Sequence, residues 1–393
     1  LLACAVSGNA EDIYPEGPLL IGEFEASSLG GAHGAAVAVS GELAVVGRPL
    51  TVTPGGTGVV DVYQRSPLPA TLDGVPWEWS LLCRLEPGND ASSDSRFGAS
   101  VDIDGSTIVV GAWSDDTEGD NAGSAWVFSI PENPPAVLMP TSQLVPSELS
   151  AGDYFGWAVG IQGDVIAVGA WGVDTDDEEN HAGAVWVFER SDDEFTETAM
   201  LISGDEDAAG ERLGSSIEVL DGVILAGAPA RSDWSGAVYW FGKESDTWSL
   251  DQRIDSSEGD AWEEFGRSIT FGLQEDGSLG GIAIGAPGDG ELGAQAGAAW
   301  IFDSIVDGHL DQSQFVKVTA PGGGPLDRTG TALAVFESGE NEGGGLLLGA
   351  PGWRTPDEGV VAGAMFFYSF GESNDVGRVV LPGLEEAEEG AGI

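Results

Sequence analysis

Phe97-Gly98-Ala99-Ser100-Val101 is the stretch on which the fold turns, because the chain repeats it. It returns as Phe155-Gly156-Trp157-Ala158-Val159, Leu213-Gly214-Ser215-Ser216-Ile217 and Phe265-Gly266-Arg267-Ser268-Ile269. Weaker copies are Thr329-Gly330-Thr331-Ala332-Leu333 and His33-Gly34-Ala35-Ala36-Val37. A second phrase follows each copy: Gly111-Ala112-Trp113, Gly169-Ala170-Trp171, Gly227-Ala228-Pro229, Gly285-Ala286-Pro287, Gly349-Ala350-Pro351 and the looser Gly47-Arg48-Pro49. A third closes each unit, as in Gly123-Ser124-Ala125-Trp126-Val127-Phe128 and Gly183-Ala184-Val185-Trp186-Val187-Phe188. Units starting near 33, 97, 155, 213, 265 and 329 lie 52 to 64 residues apart. Three phrases in fixed order, six times over, mark a repeat architecture in which each unit buries its faces against its neighbours.

Each phrase reads as a strand. Ile108-Val109-Val110, Val165-Ile166-Ala167-Val168 and Leu346-Leu347-Leu348 are apolar without alternation, as in a strand covered on both faces. The third phrase is rich in aromatic and β-branched residues, which suit a pleated surface. A more polar fourth strand precedes the next unit, for example Leu81-Leu82-Cys83-Arg84-Leu85 and Leu250-Asp251-Gln252-Arg253-Ile254. Turns such as Asp104-Gly105, Gln162-Gly163 and Asp221-Gly222 separate the strands, and no amphipathic helix is evident. Four short antiparallel strands per unit, repeated radially, predict an all-β propeller. The glycine of the first phrase is expected to let the innermost strands crowd at the axis, and Trp126, Trp186, Trp240 and Trp300 of the third strand to pack between blades.

Phe-Gly followed by Gly-Ala-Pro resembles the FG-GAP repeat, known from the propeller at the head of integrin α chains and from exported bacterial proteins. The resemblance covers residues 18–393, with residues 1–17 read as a leader remnant. It implies an integrin-α-like propeller and an adhesive or binding role on the outside of a cell. It also implies calcium in an Asp-x-Asp-x-Asp-Gly loop between the first two strands of a unit. The loops here are Asp102-Ile103-Asp104-Gly105, Gln162-Gly163-Asp164 and Leu220-Asp221-Gly222, which lack the six to eight oxygens that calcium takes. That site is not expected to carry over. Six units are visible where such propellers usually have seven. Glu389-Gly390-Ala391-Gly392-Ile393 aligns with the first phrase and reads as the start of a seventh blade; the alternative is six blades closed by Leu19-Leu20-Ile21-Gly22-Glu23-Phe24.

The chain has 393 residues with Lys+Arg 14 against Asp+Glu 66, a net charge of −52, and only two lysines, Lys243 and Lys317. That balance excludes binding to a nucleic-acid backbone, which draws on Lys and Arg to displace counterions. It fits either work in high salt, where screening removes self-repulsion, or an ordinary acidic secreted protein. No apolar run reaches the ~18 residues of a spanning helix. Two cysteines, Cys4 and Cys83, allow no disulfide framework. Leu1-Leu2-Ala3-Cys4 resembles a bacterial lipobox, with Cys4 the lipidated residue; cleavage after Gly8-Asn9-Ala10 is the alternative. Either predicts export, as a secreted protein or a surface lipoprotein.

In an up-and-down blade, alternate turns emerge on opposite faces, so the second-to-third-strand loops share a face with the connections between blades. That face collects most of the acids. Asp174, Asp176, Asp177 and Glu179 in one loop, and Asp115, Asp116, Glu118 and Asp120 in another, are the candidate ligands for a divalent cation such as calcium. Trp113, Trp171, Trp234 and Trp353 stand at the loop mouths, where rings beside carboxylates could stack on sugars or anchor a protein.

His33, His181 and His309 fall in different units, and no nucleophile motif, zinc motif or phosphate loop occurs. The expectation is a non-catalytic adhesion or binding scaffold with a protein or glycan ligand on the acidic face. A lectin working through the loop tryptophans, or a purely structural module of a larger surface protein, is the alternative.

Overall fold

The computed structural model describes residues 5–6, 34–53, 56–67, 77–88, 91–175, 180–192, 194–205, 208–220, 222–273, 279–306, 309–336, 345–354, 361, 363–369 and 376–378. Six four-stranded antiparallel blades account for nearly all of it. In blade 2 the strands are Ser100–Asp104, Thr107–Ala112, Ser124–Ser129 and Ser142–Leu144, from the axis outward. Blade 3 runs Ala158–Gln162, Val165–Ala170, Ala184–Ser191 and Glu194–Leu201; blade 4 runs Ser216–Leu220, Val223–Ala228, Ala237–Glu244 and Thr247–Asp255. The inner strands of blades 1, 5 and 6 are Val37–Ser40, Ser268–Leu273 and Ala332–Phe336. Each phrase predicted as a strand is one. The lone helix among the described residues is a single turn, Arg231–Trp234, and no helix is long and apolar enough to cross a membrane.

Inner strands touch in chain order from blade 1 to blade 6, and the two-residue strand Ala5–Val6 lies between the inner strands of blades 6 and 1, pairing in parallel with the latter. The proposed seventh-blade start at 389 and the closing strand Leu19–Phe24 lie outside the described residues.

The core is divided into five apolar clusters, each shared by two successive blades. In the second of these, Val109, Val127 and Leu144 of blade 2 meet Phe155, Ile166, Val168 and Trp186 of blade 3. Trp126, Trp186, Trp240 and Trp300 are all buried in such clusters, as expected. The Phe of the first phrase sits edge-on to the third strand of its own blade, with Phe155 and Trp186 centroids 5.6 Å apart. The propeller's stability is therefore shared between blades.

Backbones, rather than side chains, set the spacing. The third-phrase glycine of one blade forms a parallel bridge to the first phrase of the next, as in Gly123 with Phe155 and Gly236 with Phe265. A Cβ on Gly111 would strike the carbonyl of Gly156 in the next blade, and a Cβ on Gly156 would strike the carbonyl of Ser124. The first-phrase glycine thus makes room for the preceding blade's flank, which corrects the expectation that it relieves crowding on the axis. A serine reinforces this seam: Ser100, Ser216 and Ser268 donate from Oγ to the carbonyls of Gly156, Gly266 and Gly330 at 2.7–2.8 Å.

Candidate functional site

The axis opens on the face that carries the second-to-third-strand loops. Each inner strand is entered there through one tight turn, and the residue ahead of the Phe position holds a left-handed backbone. It is Arg96, Tyr154, Arg212, Glu264 and Arg328 in blades 2 to 6, with φ between 56° and 61°. The residue three further on donates its amide back to that carbonyl, at 3.1 Å for both Trp157 to Tyr154 and Arg267 to Glu264. This turn aims the third residue at the axis. Ala99, Trp157, Ser215, Arg267 and Thr331, one from each of five blades, therefore line a single cavity of about 250 Å³ together with Trp113.

An aromatic ribbon leads away from this mouth. Trp113 lies 5.3 Å from Trp157, which meets Trp171 edge-on at 5.5 Å. Tyr154 stacks on Trp171 at 4.5 Å and 12°. The Arg212 guanidinium bridges the next gap, 4.7 Å from the Trp171 ring and 4.8 Å from the Trp234 ring. Trp234 then stacks on the exposed Trp262 at 6.0 Å. Three of the four sequence-predicted tryptophans, Trp113, Trp171 and Trp234, thus belong to one surface. Trp353 does not: it is 8% exposed, packed into the core between blades 5 and 6.

The electrostatics of the mouth run against the rest of the chain. Arg328 grips the Glu264 carboxylate with one nitrogen, at 2.8 and 3.1 Å from its two oxygens. Arg267, half-buried between them and the cavity, has no ion pair or side-chain hydrogen bond among the described residues. Burial lowers its pKa; Glu264 opposes the shift, and the neighbouring Arg328 and Arg212 add to it. Three guanidinium groups against one carboxylate make a positive centre inside an acidic disc.

The sequence reading picked out the loop tryptophans and overlooked Tyr154, Trp157, Arg212, Arg267 and Arg328. Their common signal is positional: all stand one residue before, or two after, the Phe position of the repeat.

Residues 79–128 and 139–188 match the FG-GAP repeat. Both stretches are FG-GAP repeats, set in a six-bladed propeller. The matched stretches take in the outer strand of blade 1, the inner three strands of blade 2 and the corresponding part of blade 3. The crystal structure of Chaetomium thermophilum Sqt1 bound to the N-terminus of the ribosomal protein L10 is similar, with 15% identity and a TM-score of 0.46 over 85% of this chain and 71% of that one. No curated protein matches the chain.

In blade 2 the first-to-second turn does not fit calcium. Asp102 accepts the amides of Ile103 and Ile161, and Asp104 accepts that of Gly163, so these carboxylates hold the next blade instead of facing an open loop. Of the acids proposed on the opposite face, Asp115 is fully buried and accepts from Ser92, Thr117 and Ser124, an internal staple. Asp116, Glu118 and Asp120 are exposed around it. Asp174 accepts the amides of Asn180 and His181. Asp176, Asp177 and Glu179 lie outside the described residues, as does Cys4; Cys83 is a buried free thiol.

The described carboxylates that do converge are Glu258, Glu263 and Asp289, beside a cleft of about 490 Å³ that Trp262 and Gln295 help to line. Burial pushes Glu263 up to about 6, with Ser256 opposing and Asp289 adding to the shift. The Lys317 ammonium already sits among these acids, 2.7 Å from Asp289, 2.7 Å from Glu258 and 3.1 Å from Glu291.

Proposed function

We propose that the chain is an exported, non-catalytic binding and adhesion scaffold that holds a protein or glycan ligand on its loop face, centred on the mouth of the axis. One observation carries this reading: five blades each bring the same repeat position to one cavity, and tryptophans continue from it across the face. A site assembled from every blade but the first needs the closed ring, so the fold itself is the scaffold. Aromatic rings supply large contact areas at low entropic cost, which is why they dominate binding hot spots. The acidic loops outside the ribbon would steer basic partners and repel polyanions. Export is supported by the lipobox-like Leu1-Leu2-Ala3-Cys4 and by the resemblance to the FG-GAP repeats of exported bacterial proteins.

The test is retention on immobilised glycans and on extracellular-matrix proteins. Trp157→Ala should abolish it, whereas Leu81→Ala, on the exposed outer strand of blade 1, should leave it intact. Equal retention of both variants would remove the axial mouth from the reading.

A further inference from the structure

The cavity at the axis contains an arginine, Arg267, that makes no ion pair or side-chain hydrogen bond among the described residues. Glu264, the nearest acid, is committed to Arg328, and Arg212 is engaged by two indole faces. Arg267 therefore brings a half-buried guanidinium with its fork of donors to a space of about 250 Å³, a volume suited to one ring rather than to a chain. An unpaired, partly desolvated cation costs free energy unless something anionic completes it. Holding that cost inside a cavity is the mark of a ligand site.

The other walls narrow the chemistry. Trp113 and Trp157, tilted 51° to each other, border the cavity, whose exposed lining is mostly polar. Across from them, the Ser215 and Thr331 hydroxyls donate to the carbonyls of Arg212 and Arg328 at 2.7 and 2.6 Å, which leaves their oxygens as acceptors toward the cavity. A small ligand with hydroxyl donors and one planar anion matches this lining. We propose that this cavity binds a sugar ring bearing a single carboxylate, a uronate, with the carboxylate on the Arg267 guanidinium, the ring bordered by Trp113 and Trp157, and ring hydroxyls donating to Ser215 and Thr331. The guanidinium fork matches a carboxylate in two parallel hydrogen bonds. A long polyanion is disfavoured because the acidic loops surround the positive centre, so the ring is a terminal residue of a glycan. An acidic peptide can donate its amides to the same two oxygens, but the cavity has room for one ring rather than for a chain. This assignment rests on reading the loop face as a binding surface, and specifies what that surface recognises.

Titration calorimetry on the whole chain with glucuronate, glucose and the peptide Gly-Asp-Gly tests it. Glucuronate should bind at least about tenfold more tightly than glucose, the scale of one charge-assisted hydrogen bond. Arg267→Gln should bring glucuronate down to the glucose level, Arg267→Lys should retain an intermediate preference, and Trp157→Ala should lose both sugars. Urea midpoints of the variants establish that each is folded, and the lysine variant reads out charge recognition even where the glutamine variant is unstable. Equal affinity for glucose and glucuronate, or glucuronate binding indifferent to Arg267, would overturn the charge recognition yet leave a binding face. Preference for the peptide would overturn the sugar assignment. Absence of any sugar binding would overturn the inference, and the retention assay on immobilised ligands then decides whether the face binds at all.

Discussion

The Oδ2 of Asp102 accepts a 2.7 Å hydrogen bond from the amide of Ile161, so the inner strand of blade 2 is latched to that of blade 3 by a carboxylate withdrawn from bulk water. Burial pushes Asp102 up to about 7, despite the amides of Ile161 and Ile103, and Asp104 adds to the rise. Glu218, two blades on, is raised well above its usual range, again by burial first and then by the Asp102 charge. Two acids thus share the interior near the axis.

The sign of the resulting pH dependence follows from those directions. In the unfolded chain Asp102 returns to near 3.8, so between that pH and about 7 the folded protein binds more protons than the unfolded one. Stability from this group is therefore greatest in acid and falls as pH rises through the window. Thermal melting of the wild type and of Asp102→Asn from pH 4 to 8 should show a decline in the former that is flatter in the latter. Parallel profiles would mean that Asp102 titrates normally in the folded state.

Blade 4 solves a buried charge differently. Glu211 is 1% exposed and lies 3.1 Å from Arg231 Nε, while Tyr239 donates to its other oxygen at 2.9 Å. Removing one partner of a buried pair leaves the other uncompensated, a loss of about 3–5 kcal/mol. Arg231→Met should lose about that much in urea denaturation, and the double variant with Glu211→Gln should regain part of it.

What the sequence made legible was whatever repeats as backbone chemistry. Glycines and small residues recur because the seam between blades admits no Cβ at Gly111 or Gly156, and apolar runs recur because the inner strands are covered on both sides. The hairpin of Ile305–Val306 with His309–Leu310 and the parallel addition of Val137–Leu138 to blade 1 have no counterpart in the other blades among the described residues, so no pattern announced them. Trp353, expected at a loop mouth, occupies the repeat position of Asp115 and Asp289, whose side chains turn inward. The arginine centre escaped notice because its members are far apart in sequence and dissimilar in kind. Only the ring, by placing equivalent positions around one axis, makes Trp157, Ser215 and Arg267 neighbours.

The seam glycines permit a direct comparison. Gly105 has φ of 57° in an exposed turn, where a Cβ meets nothing within 4 Å, so Gly105→Ala should cost only the conformational strain of about 1–2 kcal/mol. Gly111→Ala drives a methyl into the Gly156 carbonyl and should cost clearly more, with weakened protection of the Gly156 and Trp157 amides in hydrogen exchange. Equal losses at the two sites would show that blade spacing is compliant.

Lys317 is the last of these internal pairings and the most exposed to test. Its Nζ sits 2.7 Å from Asp289, which is 1% exposed, and beside Glu258 and Glu291; Glu263, raised to about 6 by burial, lies within reach of the same acids. Lys317→Met removes the only cation among these carboxylates that the described residues provide. It leaves Asp289 and Glu263 buried without a counter-charge, beside the exposed Glu258 and Glu291, and should cost about 3 kcal/mol, the lower end of the scale of a broken buried pair. Glu263 takes up its proton below about pH 6, so the penalty should shrink on acidification. Urea midpoints of wild type and variant should differ more at pH 8 than at pH 5, and a difference independent of pH would show that the ammonium is not what balances Glu263 and its neighbours.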